Sequence, residues 1–96
     1  MKILKYRIPL NDVIVIEMPF YSKILSFQMQ NSAPVIWVLT EHNSLETMKE
    51  RIFFIKGTGE DFNEDDRFIK YIGTIQDPNQ IHGLCLVWHL FERAGD

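Results

Sequence analysis

Residues 22–41 read SKILSFQMQNSAPVIWVLTE, and two kinds of apolar pattern meet there across a turn. From Ser22 to Gln30 the chain alternates, with Leu25, Phe27 and Met29 set against Ser26, Gln28 and Gln30. A period of two residues sends successive side chains to opposite faces, the pattern of a half-buried strand. Asn31-Ser32-Ala33-Pro34 supplies turn chemistry, and Val35 to Glu41 then runs almost uniformly apolar. Two adjacent strands with a short turn between them predict an antiparallel pair.

The same reading extends in both directions. Lys2 to Ile8 places Leu4, Tyr6 and Ile8 opposite Lys5 and Arg7; Asn11-Asp12 form a turn before a strand from Val13 to Met18. Pro19 ends that strand because it cannot donate to a ladder. Downstream, Arg51–Lys56, Arg67–Gln76 and Leu84–Glu92 read as strands, with Asp77-Pro78-Asn79 as the last bend. The total is about seven short strands. The one candidate helix is Ser44–Arg51, where Ser44 could cap and Leu45 and Met48 fall three apart. With no long helix to carry parallel crossovers, the chain is expected to be all-β, an antiparallel meander closed as a small barrel or folded as a β-sandwich.

Bulk properties bound the rest. The 96 residues suit a single domain, residues 1–96, and 46% hydrophobic with 24% charged residues is the composition of a soluble globular chain. A formal charge of -3 gives no overall support for gripping nucleic-acid phosphates. Cys85 is alone, so no internal disulfide is expected. The opening MKILKYRI has no apolar leader region and no segment is long enough to span a membrane as a helix, so the cytoplasm is the expected location.

Residues 53–66, FFIKGTGEDFNEDD, contain the one glycine pair that invites a phosphate-loop reading. A phosphate cradle needs converging backbone N–H groups, usually at a helix start, and a nearby cation. Gly57-Thr58-Gly59 instead leads into Glu60, Asp61, Glu64, Asp65 and Asp66, with only Lys56 close in sequence on the basic side. The glycines are therefore read as a bend leaving a strand. Asp61, Asn63 and Asp65 match the first ligand positions of a calcium loop, but Asp66 stands where glycine is required and Ile72 where the bidentate glutamate belongs. No metal site is expected. Cys85 and His89 would lie roughly 13 Å apart along a strand, too far to share a zinc ion, and His42 and His82 sit in other segments. No nucleophile, base and oxyanion-donor set is linked by sequence spacing, so neither catalytic residues nor a cofactor is expected. Trp37 and Trp88, between aliphatic residues, read as core indoles.

Two strands carry apolar residues on both faces: Val35, Trp37 and Leu39 against Ile36 and Val38, and Leu84, Leu86, Trp88 and Leu90 against Cys85, Val87, His89 and Phe91. A sandwich strand has one inward face, so something must cover the other. A second copy of the chain is expected there, with a dimer favoured and Ile36, Val38, Val87 and Phe91 as interface residues; the alternative cover is the chain's own 42–49 loop.

The segments KYRIPLNDVIVIEMP, KILSFQMQNSAPVIWVL, the GTG turn after RIFFI, YIGT and the closing LVWHLFE together resemble a family of small uncharacterised proteins encoded mostly by bacteriophages and prophages. The resemblance covers nearly the whole chain, with Met29 and Ser32 as departures from the family's usual KILSVQVQNG. It implies an all-β unit in a phage setting and no catalytic residues. His89 and the Gly57-Thr58-Gly59 turn match the family pattern, and with Lys56 they form the candidate ligand- or partner-binding set. The expected function is a non-enzymatic phage accessory protein that binds a host or defence protein through an apolar sheet face or the rim of the 57–66 loop. The alternatives are an oligomeric binder of a small nucleotide signal, with Lys56, Gly57, Thr58 and His89 in the pocket, and a minor virion component.

Overall fold

A computed structural model describes residues 1–41, 47–77 and 86–94. Seven strands form: β1 Lys2–Arg7, β2 Val13–Pro19, β3 Ser22–Gln30, β4 Ala33–Thr40, β5 Met48–Gly57, β6 Ile69–Asp77 and β7 Leu86–Arg93. They make two antiparallel sheets, a three-stranded one in the order β1-β4-β3 and a four-stranded one in the order β2-β5-β7-β6. The sheets are not closed into a barrel and face each other as an open sandwich. The expected meander is corrected too: only β3–β4 and β6–β7 are neighbours both in sequence and in space. Alternation shows that a strand exists, whereas the length and direction of the connections decide which strand it joins.

The β3–β4 hairpin turns on two residues, since Gln30 pairs with Ala33 and both Asn31 (φ 50°) and Ser32 (φ 65°) are left-handed. Two positive φ values match the right-handed twist of the flanking strands, so the turn is shorter than the four residues expected. Pro34 lies inside the central strand β4. Its carbonyl accepts from Ile8 N (2.9 Å), one residue past Arg7, so its missing N–H falls at the end of the β1–β4 ladder and not in its middle. The candidate helix is corrected: Met48–Arg51 opens β5, and Ser44–Glu46 lie outside the described residues.

The core lies between the sheets. Ile24, Phe27, Met29, Ile36 and Val38 meet Ile14, Met18, Phe53, Ile55, Ile75 and Leu90. A bulge between Ile24 and Ser26 shifts the register of β3, so Ile24 rather than Leu25 joins Phe27 and Met29 inside. A second bulge lies between Tyr71 and Gly73 of β6, and there the edges of the two sheets come together. A Cβ added at Gly73 would stand 3.3 Å from Phe27 Cβ, so glycine permits the approach. At one end of the core, Arg51 from β5 reaches Glu92 of β7 through Nε (2.5 Å) and Nη2 (2.6 Å) and donates through Nη1 to the Ser22 carbonyl of β3 (2.7 Å). One guanidinium thus ties the two sheets together.

The surplus apolar faces are covered in two ways that the strand pattern alone does not reveal. Ile36 and Val38 are fully buried in the core, so they are corrected from interface to interior. On the other side of β4, Val35 is buried and Trp37 and Leu39 half-buried, flanked across the ladders by Arg7 and Gln28, Lys5 and Ser26, and Ile3 and Lys23. Lys5 Nζ lies 5.8 Å from the Trp37 ring centroid and donates to Gln30 Oε1 (2.8 Å), so Trp37 is an outer-face indole shielded by long polar side chains rather than a core one. The outer face of the four-stranded sheet is roofed by the chain's own 57–66 loop: Phe62 packs edge-on against Phe54 (5.7 Å) and Phe91 (5.0 Å), leaving Phe54 only 2% exposed.

Candidate functional site

The residues singled out in sequence converge on that roofed face. Lys56 of β5 is the cross-strand partner of His89 on β7, and Thr74 of β6 pairs with His89 from the other side. A common side across three strands follows from the antiparallel register. Gly57 is the last residue of β5 and Gly59 takes φ +91° in the turn after it, so the bend reading of the glycine pair holds. Glu60 closes the turn, its N–H reaching Gly57 O (3.1 Å) and its Oε1 accepting from Gly57 N (3.1 Å). Thr58 N donates to Val87 O (3.3 Å), pinning the turn to β7.

This placement brings the Thr58 hydroxyl to His89. Nε2 of His89 lies 2.8 Å from Thr58 Oγ1 and Nδ1 lies 2.9 Å from Thr74 Oγ1, which in turn stands 2.6 Å from the Tyr71 hydroxyl. In its neutral form the imidazole would donate to one threonine and accept from the other. The chain Thr58–His89–Thr74–Tyr71 runs across the sheet and ends at an exposed phenol whose ring also tilts against Phe91 (5.7 Å). Thr74 and Tyr71 were not singled out from the sequence. The register of β6 past its bulge is what aligns them, and alternation cannot show a bulge.

Lys56 is less free than its position suggests. Its ammonium lies 3.8 Å from Asp12 and 5.5 Å from the Phe62 centroid, over the ring. Beyond Phe62 the loop is held by its own charges. Asp65 caps a 3-10 turn, Asp66–Phe68, by accepting from Arg67 N (2.9 Å), and its carboxylate also takes the Arg67 guanidinium (2.8 Å). The side-chain hydrogen bond from Arg67, then the backbone one, holds the Asp65 carboxyl below its usual range; the same pair raises Arg67. Arg93 reaches Glu64 at 3.9 Å and lies over Phe54. Asp65 and Glu64 thereby help to order the roof. On β1, in the three-stranded sheet, burial raises the pKa of Tyr6.

Of the remaining candidates, Phe91 is half-buried beneath Phe62 and Tyr71. Val87 lines a cleft of about 350 Å³ with Gly57, Thr58, Glu60, Leu86 and Trp88. Trp88 faces inward as expected, with its indole N–H buried and without a partner among the described residues. Cys85, His42 and His82 lie outside the described residues. Arg51, Lys56 and Arg67 each face a carboxylate.

Fold and site together define a small open β-sandwich with a self-roofed sheet and a hydroxyl–imidazole–phenol chain on its rim. The chain belongs to a family described as a domain of unknown function (DUF7352), whose model matches residues 1–96. No curated protein and no solved structure matches it.

Proposed function

We propose that the protein acts by binding another protein and not by catalysis, through the rim formed by the 57–66 loop, Tyr71 and Thr74. The carrying observation is Tyr71, 57% exposed yet fixed at both ends, its hydroxyl on Thr74 (2.6 Å) and its ring on Phe91. A pre-ordered tyrosine presents apolar area and a polar tip with little entropy left to lose, which is how binding anchors look. Glu60, Asp61 and Asp66 stand exposed along the same loop and favour a basic partner surface. His89 touches a hydroxyl, as a general base would, but its other nitrogen meets Thr74 and not a carboxylate, so no fixed charge steadies an imidazolium there.

A phage accessory role in the host cytoplasm, with a host or defence protein as the partner, belongs to this proposal and rests on the sequence resemblance alone. No helix among the described residues is long and apolar enough to cross a membrane. The nucleotide-signal reading draws less support, because Glu60 takes the Gly57 N–H and Asp12 faces Lys56, two groups a phosphate would need. Immobilised protein exposed to host lysate is expected to retain one stoichiometric partner that elutes with salt and is lost with Tyr71→Ala. Retention of nothing, or equal retention by the variant, sinks the proposal. Native mass spectrometry showing a co-purified small anion would favour the nucleotide-signal reading, and recovery in purified particles a virion component.

A further inference from the structure

The four sheet edges are not equally protected. β3 and β6 lie against each other at their bulges, with Phe27 beside Gly73. The other two edges are β1 and β2, and the direction of their backbone groups follows from two hydrogen bonds. Phe20 N donates to Thr47 O (2.9 Å), continuing the register in which Pro19 faces Met48. Even-numbered residues of β2 therefore turn their N–H and C=O toward β5, and Val13, Val15, Glu17 and Pro19 turn theirs outward. Pro19 fits this parity, since its missing N–H falls on the open side.

For β1 the corresponding bond is Ile8 N to Pro34 O, so Ile3, Lys5 and Arg7 face the open side. Lys5 and Arg7 guard that edge, because a second β1 would bring cations against cations. β2 is guarded only at its far end, by Glu17 and Pro19. It is seven residues long, its register against β5 has no bulge, and Val13 and Val15 are each 56% exposed beside Phe54 and Ile52.

We propose that β2 pairs antiparallel with β2 of a second copy about a two-fold axis at Val15, joining the two four-stranded sheets into one. In this register Val15 faces Val15 of the second copy and Val13 faces its Glu17. Every outward N–H of Val13, Val15 and Glu17 then finds a carbonyl, and Pro19 falls beyond the pairing. The two Glu17 carboxylates sit at opposite ends, so no like charges meet. That self-complementarity, broken for β1 by its cations, selects a second copy over a foreign strand as the occupant. The edge is separate from the Tyr71 rim, so the two proposals stand or fall independently.

Light scattering coupled to size exclusion is expected to give twice 11.3 kDa for the wild type across micromolar to millimolar loading. Val15→Lys places two ammonium groups at the axis and is expected to weaken the dimer by about tenfold or more while the fold, read by far-UV circular dichroism, is unchanged. Val15→Pro removes only an outward N–H and is expected to give a folded monomer; if it unfolds, Val15→Lys still decides. In a Cys85→Ser background, Val15→Cys is expected to form an intermolecular disulfide on mild oxidation. The proposal is overturned by a wild type that stays at 11.3 kDa throughout, by a dimer that Val15→Lys leaves intact, by a dimer that Val15→Cys does not cross-link, or by a stoichiometric foreign chain on a monomeric wild type that Val15→Lys releases.

Discussion

Removing Glu92 while leaving Arg51 in place isolates the ion pair that anchors the guanidinium whose third nitrogen reaches the other sheet. Both side chains are nearly buried, 15% and 11% exposed, and Arg51 spends three of its nitrogens on Glu92 and the Ser22 carbonyl. Glu92→Leu strands a guanidinium at the end of an apolar core. Breaking a buried pair in this way costs about 3–5 kcal/mol, and the residual exposure places this one near the lower value. A domain of this size has about 5–15 kcal/mol in all, so the variant should remain folded but lose a large part of its margin. Arg51→Met with Glu92→Leu removes both charges and fills the volume with apolar atoms. The double variant should recover most of the loss, with about 1 kcal/mol left for the Ser22 carbonyl that no longer receives a donor. Urea denaturation of the wild type, both single variants and the double variant closes the cycle. Singles costing less than about 1 kcal/mol, or a double variant as weak as the singles summed, would refute the buried pair as the anchor of that guanidinium.

Three further outcomes test the roof and its turn. Phe62→Ala uncovers Phe54 and Phe91 and should cost about 2 kcal/mol, with a rise in binding of a hydrophobic dye; an unchanged denaturation midpoint would mean the roof carries no stability. Gly59→Ala has free space around the new methyl but φ +91°, so it should cost about 1 kcal/mol from backbone strain alone, read by thermal unfolding. The Asp65 carboxyl is held low by Arg67, so its contribution is present above the ordinary carboxylate range and lost as pH falls through the lowered folded value. Amide exchange in residues 57–68, compared between wild type and Asp65→Asn, should converge at acid pH and differ near neutrality; identical protection at all pH values would remove Asp65 from the account.

Strand existence was legible almost throughout, because period-two alternation survives in each segment. Ser22 starts β3, and Pro19 ends β2 where a missing donor dictates. Partner choice was not legible. β5 pairs with β2 and β7 rather than with β6, and nothing in RIFFIK or RFIKYI encodes which neighbour it takes. The bulges were hidden for a related reason. A single inserted residue at Leu25 or Ile72 leaves composition unchanged while flipping every side chain beyond it, which is why Leu25 was placed inside and is 44% exposed. Lys56, Gly57, Thr58 and His89 were found because turn residues and a histidine stand out in sequence. Thr74 and Tyr71 were missed because a threonine and a tyrosine in a strand are ordinary until the register lines them up.

The apolar surplus that points to a neighbour is real as a pattern and mislocated as a surface. β4 hides its second face beneath the stems of Lys5, Arg7 and Gln28, and β7 hides its own beneath Phe62, so a short polar-looking loop supplies the aromatic that two strands lack. The acids around Phe62 follow from that duty. A loop that carries one aromatic onto a sheet needs local bonds to hold it there, and Asp65–Arg67 and Glu64–Arg93 provide them. With Phe54 and Phe91 roofed and Trp37 shielded from within, what remains unsatisfied is directional: a row of backbone groups at Val13, Val15 and Glu17 of β2 that no strand of the described residues completes. Apolar area can be covered by any greasy atom, but a strand edge is completed only by another strand, and that difference moves the expected contact from the faces of the sandwich to its side.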